Sequence, residues 1–275
     1  MINISNLKID FKKNSSKQSL KKNEINILFL NNLNEIKFKP IWLNNEIEKF
    51  LINNSKTRKI KKPYLFETQF GLFLIIPFLS NSDDYSLEIE NQGGLIFDKI
   101  IPDFYDHINF YIDDEFYSAN LLRGFYLKSY KFENYKSNSK QRKIKNVVII
   151  SQNYLKIKSR FEFNLNLVKG VFFARDLVWK PANILYPKSF SEECKKLKKF
   201  GVKVQILNER NLKKIGMTSL LAVGQGSRQE SHVVVMEWNG GKKNEKPLTI
   251  VGKGVCFDSG GLSLKPAKSM EDMKW

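Results

Sequence analysis

Three short apolar runs set the terms for any fold: Ile25–Leu30 (INILFL), Gly71–Phe78 (GLFLIIPF) and Asn146–Ile150 (NVVII). Each is too short for a stable helix, rich in β-branched residues, and bounded by polar residues or glycine, so each reads as a buried strand. Helical spacing appears between them. Ile41, Leu43, Ile47, Phe50 and Leu51 mark a helix over Ile41–Ile52, and Asn120–Tyr130 (NLLRGFYLKSY) marks another, interrupted by Gly124. Strands that alternate with helices predict an α/β layer. The polar, basic run Glu133–Asn146 reads as an exposed loop leading into the NVVII strand.

The texture changes after Asn164. Leu165, Val168, Phe172 and Leu177 predict a helix over Asn164–Lys180, stopped at Pro181. A second helix is expected over Ser189–Phe200, with Ser189 or Ser191 as its cap and Gly201 at its end. Val202–Leu207, Ser231–Trp238 and Leu248–Val251 read as strands, with Asn211–Leu221 between the first two and the Gly240-Gly241 turn between the last two. A boundary near residue 160 divides the chain into an N-terminal α/β domain, 1–160, and a second α/β unit, 161–275. At 275 residues the length suits two domains, and 42% hydrophobic residues can supply a core for them.

Charge excludes less than it suggests. A formal net charge of +18 would suit a polyanion partner. The Lys and Arg residues, however, run through the whole chain with no basic motif, which favours a compositional bias over a dedicated nucleic-acid footprint. Cys194 and Cys256 make no disulfide framework and no C-x-x-C pair. The longest apolar stretch, Leu72–Leu79, is too short to span a bilayer and contains Pro77. The N-terminus lacks the apolar core of a signal peptide, so a cytoplasmic location is expected.

The chemistry concentrates in Ile250–Trp275, IVGKGVCFDSGGLSLKPAKSMEDMKW. A strand ending at Val251 would open into a loop holding Lys253, Asp258 and Lys265, with glycines at 252, 254, 260 and 261. Glycine lets backbone approach a ligand closely, and open α/β sheets place sites in loops beyond strand C-termini. A phosphate loop is disfavoured: the spacing fits neither G-x-x-x-x-G-K-[ST] nor G-x-G-x-x-G, and Asp258 would repel phosphate. Taken singly, a loop Lys is usually just solvated, and an Asp beside Ser and Gly usually caps its own turn. His107 and His232 have no Cys, Asp or Glu at metal-ligand spacing, and Cys256 reads as a small buried hydrophobe.

Taken together, Val251, Gly252, Lys253, Gly254, Phe257, Asp258, Ser259, Gly260, Gly261, Lys265 and Pro266 fill every fixed position of V-G-K-G-x-x-F-D-[ST]-G-G-x-x-x-K-P. This pattern resembles the leucyl (cytosol) aminopeptidase family. Ala174–Pro187 (ARDLVWKPANILYP) and Gly216–Ser227 (GMTSLLAVGQGS) resemble two further family segments, with Trp179 standing where Asn is usual. Gly124–Lys136 resembles the end of the family's N-terminal domain more weakly.

The resemblance implies a hydrolase that removes N-terminal residues, leucine-type, from peptides with two bridged divalent metals, manganese or zinc. Lys253 would be a metal ligand through a neutral amine, and Asp258 would bridge both ions. Lys265 would stay protonated and stabilise the oxyanion, with Pro266 keeping its backbone extended. Met273 would line the pocket for the substrate's first side chain. Relatives of this kind are homo-hexamers of a two-domain α/β protein, and some bind DNA.

The family motif continues M-K-x-D-M-G-G-A, of which Met273, Lys274 and Trp275 fill the first three places. The expectation is therefore a catalytic domain truncated within its metal-binding motif, holding metal weakly and inactive by itself. Hexamer assembly is doubtful on that expectation, and the last strands would present an unpaired edge and an uncovered apolar face. The alternatives are a basic DNA-binding protein and a non-functional remnant without catalysis.

Overall fold

A computed structural model describes residues 7–15, 23–30, 36–38, 48–49, 52–53, 63–68, 71–78, 85–100, 105–135, 137, 146–242 and 244–274. The chain divides into two compact units, Met1–Phe173 and Ala174–Trp275.

The first unit is a six-stranded sheet in the order β1-β6-β5-β2-β4-β3. Its strands are β1 (Ile9–Lys12), β2 (Glu24–Leu30), β3 (Tyr64–Thr68), β4 (Gly71–Pro77), β5 (His107–Tyr111) and β6 (Asn146–Ile150). Every pairing is parallel except that of β3, which runs antiparallel to β4 at one edge. The three apolar runs are thus β2, β4 and β6. Side chains alternate between faces along a strand, and both faces are covered here. Ile25, Ile27 and Phe29 of β2 enter one apolar cluster, while Leu28 and Leu30 enter the other. A strand buried on both sides has no polar face to display, which is why these runs lack alternation.

One face carries α1 (Tyr85–Ile100), α2 (Glu115–Lys128) and the N-terminal part of α3 (Tyr154–Trp179). Helices α1 and α2 run side by side in register. Ser86 Oγ donates to Asn120 Oδ1 at 3.2 Å, Arg123 pairs with Glu90, and Lys128 Nζ lies 2.9 Å from Asp98 Oδ2. Gly124 does not interrupt α2; it marks where the two helices touch. A Cβ built at Gly124 would fall 1.8 Å from Glu90 O, and one at Gly93 would fall 2.0 Å from Leu121 O. The buried Gln92 ties the layer to the sheet, donating to Pro77 O at 2.8 Å and accepting from the Tyr117 hydroxyl. Asp114 caps α2 by accepting from Tyr117 N–H at 2.8 Å.

The helix expected to begin at Asn164 begins ten residues earlier, at Tyr154. Ile157 and Phe161 extend its buried stripe to Val168 and Phe172, and Asn164 is itself buried mid-helix, donating to Ala119 O at 2.9 Å. The helix stops at Trp179, just before the Lys180-Pro181 bond that disfavours helical geometry. The helix expected over Ile41–Ile52 lies largely outside the described residues; 48, 49 and 52 are helical. The expected loop Glu133–Asn146 is also mostly outside them.

In the second unit, α4 (Pro187–Lys195) begins with proline in its first turn, a position that needs no N–H. Ser189 does not occupy the cap position, which is Tyr186; instead its Oγ accepts the Tyr186 N–H at 2.9 Å. A 3-10 turn over Lys196–Phe200 ends at Gly201, whose φ of +87° is left-handed. Strands β7 (Lys203–Leu207) and β8 (Val233–Glu237) form an antiparallel pair, with α5 (Glu209–Lys214) and α6 (Thr218–Gly224) between them in sequence.

The strand expected at Leu248–Val251 is not formed. Among the described residues this segment has no ladder partner, and Leu248, Ile250 and Val251 are 88%, 86% and 93% exposed. Strand-like sequence becomes strand only where a neighbour takes its backbone hydrogen bonds. No described helix is long and apolar enough to cross a membrane.

Candidate active site

Beyond Val251 the chain forms irregular turns up to a 3-10 turn at Met270–Asp272. What holds them is a set of backbone bonds made possible by the glycine pair. Gly260 and Gly261 adopt φ of +94° and +77°, a left-handed turn that costs other residues strain. Lys265 N–H donates to Ser259 O at 2.9 Å, closing that turn. The turn has no room for a side chain at its first glycine: a Cβ on Gly260 would lie 2.3 Å from Ser263 O and 3.0 Å from Lys265 Cγ. Asp258 N–H donates to Met273 O at 3.3 Å, which brings the Asp258 end of the loop to Met273.

This scaffold gathers three of the four residues singled out by sequence. The two carboxylate oxygens of Asp258 are engaged differently. Oδ1 accepts the Gly260 N–H at 2.9 Å, the turn-capping role an Asp before Ser-Gly commonly plays. Oδ2 faces the Lys265 ammonium at 3.2 Å, and the same Nζ lies 3.3 Å from Met273 Sδ. The Gly260 N–H, then the Lys265 ammonium, hold the Asp258 carboxyl below its ordinary range, with a smaller push from the positive charge of Lys253. Lys253 is exposed and is placed by its backbone, its O accepting from Val255 N–H at 3.0 Å. It is near enough for its charge to reach Asp258.

Two neighbours carry a signal that sequence spacing did not reveal. Cys256 is half-buried, and that burial pushes its thiol up, opposed by the Lys274 charge. Lys274 is in turn lowered, chiefly by burial. Nothing in the one-dimensional pattern marks Cys256 and Lys274 as a pair, yet each feels the other's charge, and the Asp258–Met273 bond ties together the two stretches that carry them.

The donor set suits a divalent cation in kind. Asp258 offers a hard carboxylate oxygen, and the Lys265 ammonium already stands on that oxygen as a cation would. The set falls short in number: no three of His, Cys, Asp and Glu come together as a metal site among the described residues.

Residues 172–275 match the model of the cytosol aminopeptidase family, catalytic domain. A probable cytosol aminopeptidase of Brucella ovis is 47% identical over 162 residues, which cover 57% of this chain and 33% of that protein. One from Bradyrhizobium is 45% identical over 160 residues, covering 57% of this chain and 32% of that protein. The chain therefore spans about a third of the length of these curated relatives. Among solved structures, the bottromycin maturation enzyme BotP in complex with Mn superposes with a TM-score of 0.65 at 18% identity, over 92% of this chain and 52% of that one. A tomato leucine aminopeptidase mutant gives 0.62 at 16% identity, over 80% of this chain and 48% of that one. At such identities the structural likeness speaks for the fold.

Proposed function

We propose that this chain, whose residues 172–275 match the catalytic-domain model of the cytosol aminopeptidase family, supplies a dinuclear-metal aminopeptidase site that hydrolyses N-terminal, leucine-type residues from peptides. The relatives' description as cytosol aminopeptidases supports a cytoplasmic setting. Divalent ions, manganese or zinc, would supply Lewis-acid polarisation of the scissile carbonyl. Asp258 would hold them through the oxygen not spent on its turn, and Lys253 would donate its amine lone pair. Lys265 would present its ammonium to the carbonyl oxygen as negative charge develops there. Met273, touching Lys265 Nζ through its thioether, would form the wall beside the substrate's first side chain.

The observation that carries this reading is the disposition of Asp258. One oxygen is fixed by Gly260 N–H, so the other is held in a set direction with a cation already on it. Two donor residues are fewer than the three protein ligands a catalytic zinc takes. The 275-residue chain by itself is accordingly expected to release no leucine.

The reading is tested by grafting residues 172–275 of this chain into the Brucella ovis relative in place of its matching stretch and assaying metal-dependent hydrolysis of a leucine amide. The chimera should turn over substrate. Lys265→Ala should reduce turnover by about 10²–10³-fold, the effect typical of removing one oxyanion donor, and Asp258→Ala should abolish it. Full turnover by a chimera with Lys253, Asp258 and Lys265 all replaced by alanine would refute the assignment.

A further inference from the structure

A cavity of about 550 Å³ lies in the first unit between the last turn of α1 and strands β2, β3 and β4. Its apolar walls are Ile25, Leu65, Leu74 and Ile100. Ile25, Leu74 and Ile100 are core residues no more than 1% exposed, and Leu65 packs against the same cluster, so the cavity reaches the core itself. It is bordered on one side by β3, the edge strand of the described sheet. Protein interiors seldom leave voids larger than a water molecule. A volume of 550 Å³ instead falls in the range that small-molecule pockets occupy, roughly 300–1,000 Å³.

The charge at its rim is one-sided. Asp98 and Lys99 both line the cavity. Asp98 is already neutralised, its Oδ2 lying 2.9 Å from Lys128 Nζ. Lys99 is exposed and has no carboxylate partner among the described residues. The carbonyl end of α1 contributes about half an elementary negative charge, less than the full positive charge that Lys99 adds. A cationic head group would meet Lys99, and a neutral one would leave that charge unused.

We propose that this cavity binds a free carboxylate with an apolar tail, of the chemical class of a medium-chain fatty acid. The tail would lie against Ile25, Leu65, Leu74 and Ile100, and the carboxylate would face Lys99. The site lies outside residues 172–275 and stands independently of the aminopeptidase reading.

Equilibrium dialysis of radiolabelled decanoate, below its micelle concentration, against the full 275-residue chain tests this. Octanoate should bind roughly 15-fold more weakly than decanoate, since each methylene taken out of water is worth about fourfold. Decyltrimethylammonium, with the same tail and the opposite head, should bind more weakly than decanoate. Lys99→Met should weaken decanoate about fivefold, the scale of one exposed ion pair. Lys268→Met, an exposed lysine of the other unit, should match wild type and so controls for net charge. Leu65→Trp, which puts an indole into the cavity, should weaken decanoate at least tenfold; Leu65→Phe replaces it, judged by the same outcome, if its circular dichroism departs from wild type.

Equal binding of octanoate and decanoate, or decanoate binding unchanged by the Leu65 variant, would mean the ligand lies on the surface and overturns the proposal. Decyltrimethylammonium binding as tightly as decanoate, or Lys268→Met losing as much as Lys99→Met, overturns the role of Lys99. No binding at millimolar decanoate overturns the site as a whole.

Discussion

Replacing Gly124 with alanine adds one methyl group where α1 and α2 cross, and the structure indicates what that costs. The new Cβ would sit 1.8 Å from Glu90 O, 2.6 Å from Glu90 C and 2.9 Å from Glu90 Cα, all backbone. No rotamer can relieve a clash between two backbones, so the helices must part by roughly 1.5 Å in a close-packed layer. Parting loosens the contacts of Ile89, Ile96 and Phe97 with Leu121, Leu122 and Phe125, including the edge-on Phe97–Phe125 pair at 5.0 Å. Overpacking of this kind costs about 1–3 kcal/mol. Against it stands the ~1 kcal/mol by which alanine favours a helix over glycine. Because the obstruction is backbone, the cost lies at the upper end, and a net loss of about 2 kcal/mol is expected. For a unit of this size that lowers the melting temperature by roughly 4–8 °C. The reciprocal position sharpens the test, since a Cβ at Gly93 would meet Leu121 O at 2.0 Å. Once one alanine has forced the helices apart, the second meets a gap already opened, so Gly93→Ala with Gly124→Ala should cost clearly less than the sum of the two. Urea denaturation followed by far-ultraviolet circular dichroism measures all three variants. A Gly124→Ala protein as stable as wild type, or strictly additive costs, would refute the close-approach argument.

Two further substitutions probe the second unit. Glu193 accepts from Lys196 Nζ at 2.7 Å and Lys180 Nζ at 2.9 Å; burial pushes its carboxyl up, but the two lysines outweigh it and the group stays below the usual carboxylate range. A lowered carboxyl contributes stability above its unfolded value and loses it as the pH falls through its folded value. Wild type should therefore lose stability relative to Glu193→Gln on acidification below the normal glutamate range, and parallel urea midpoints across that range would contradict this. Gly260→Ala places a Cβ 2.3 Å from Ser263 O at a φ of +94°, so the turn should open at a strain of about 1–3 kcal/mol. Tryptic cleavage after Lys253 and Lys268 should then quicken relative to other sites; unchanged cleavage would mean the turn tolerates the methyl group.

Legibility followed burial. Strands β2, β4 and β6 were visible because strands enclosed on both faces are apolar throughout. Strands β1 (IDFK), β3 (YLFET) and β5 (HINFY) are equally real but carry polar residues within four or five positions, too few to show a period. Helix α1 escaped notice because Gly93 and Gly94 sit in its middle, where propensity argues against a helix. Gly93 is there because α2 leaves no space for anything larger, a tertiary demand that no local pattern encodes. The converse error was Leu248–Val251, where local propensity is strong and no partner strand is described. The second unit explains why propensity alone failed: its described buried apolar residues are chiefly Leu185, Cys194 and Leu212, while Leu262, Leu264 and Trp238 stand exposed.

The candidate site's residues were legible as a pattern and not in their geometry, and the reason lies in Asp258 itself. From sequence, an Asp before Ser-Gly-Gly admits two accounts, a turn residue satisfying its own backbone or a ligand. The structure shows the turn bond on one oxygen and the Lys265 ammonium on the other. Gly260 can donate to Oδ1 because the glycine pair takes left-handed backbone, and that bond fixes the carboxylate plane. A fixed plane is what gives Oδ2 a defined direction, and the same turn carries Lys265 round to meet it, with Met273 brought alongside by the Asp258 N–H. Spacing could show that these residues occur together. It could not show that the turn uses one oxygen and leaves the other to a cation, because that division depends on the sign of φ at Gly260 and Gly261.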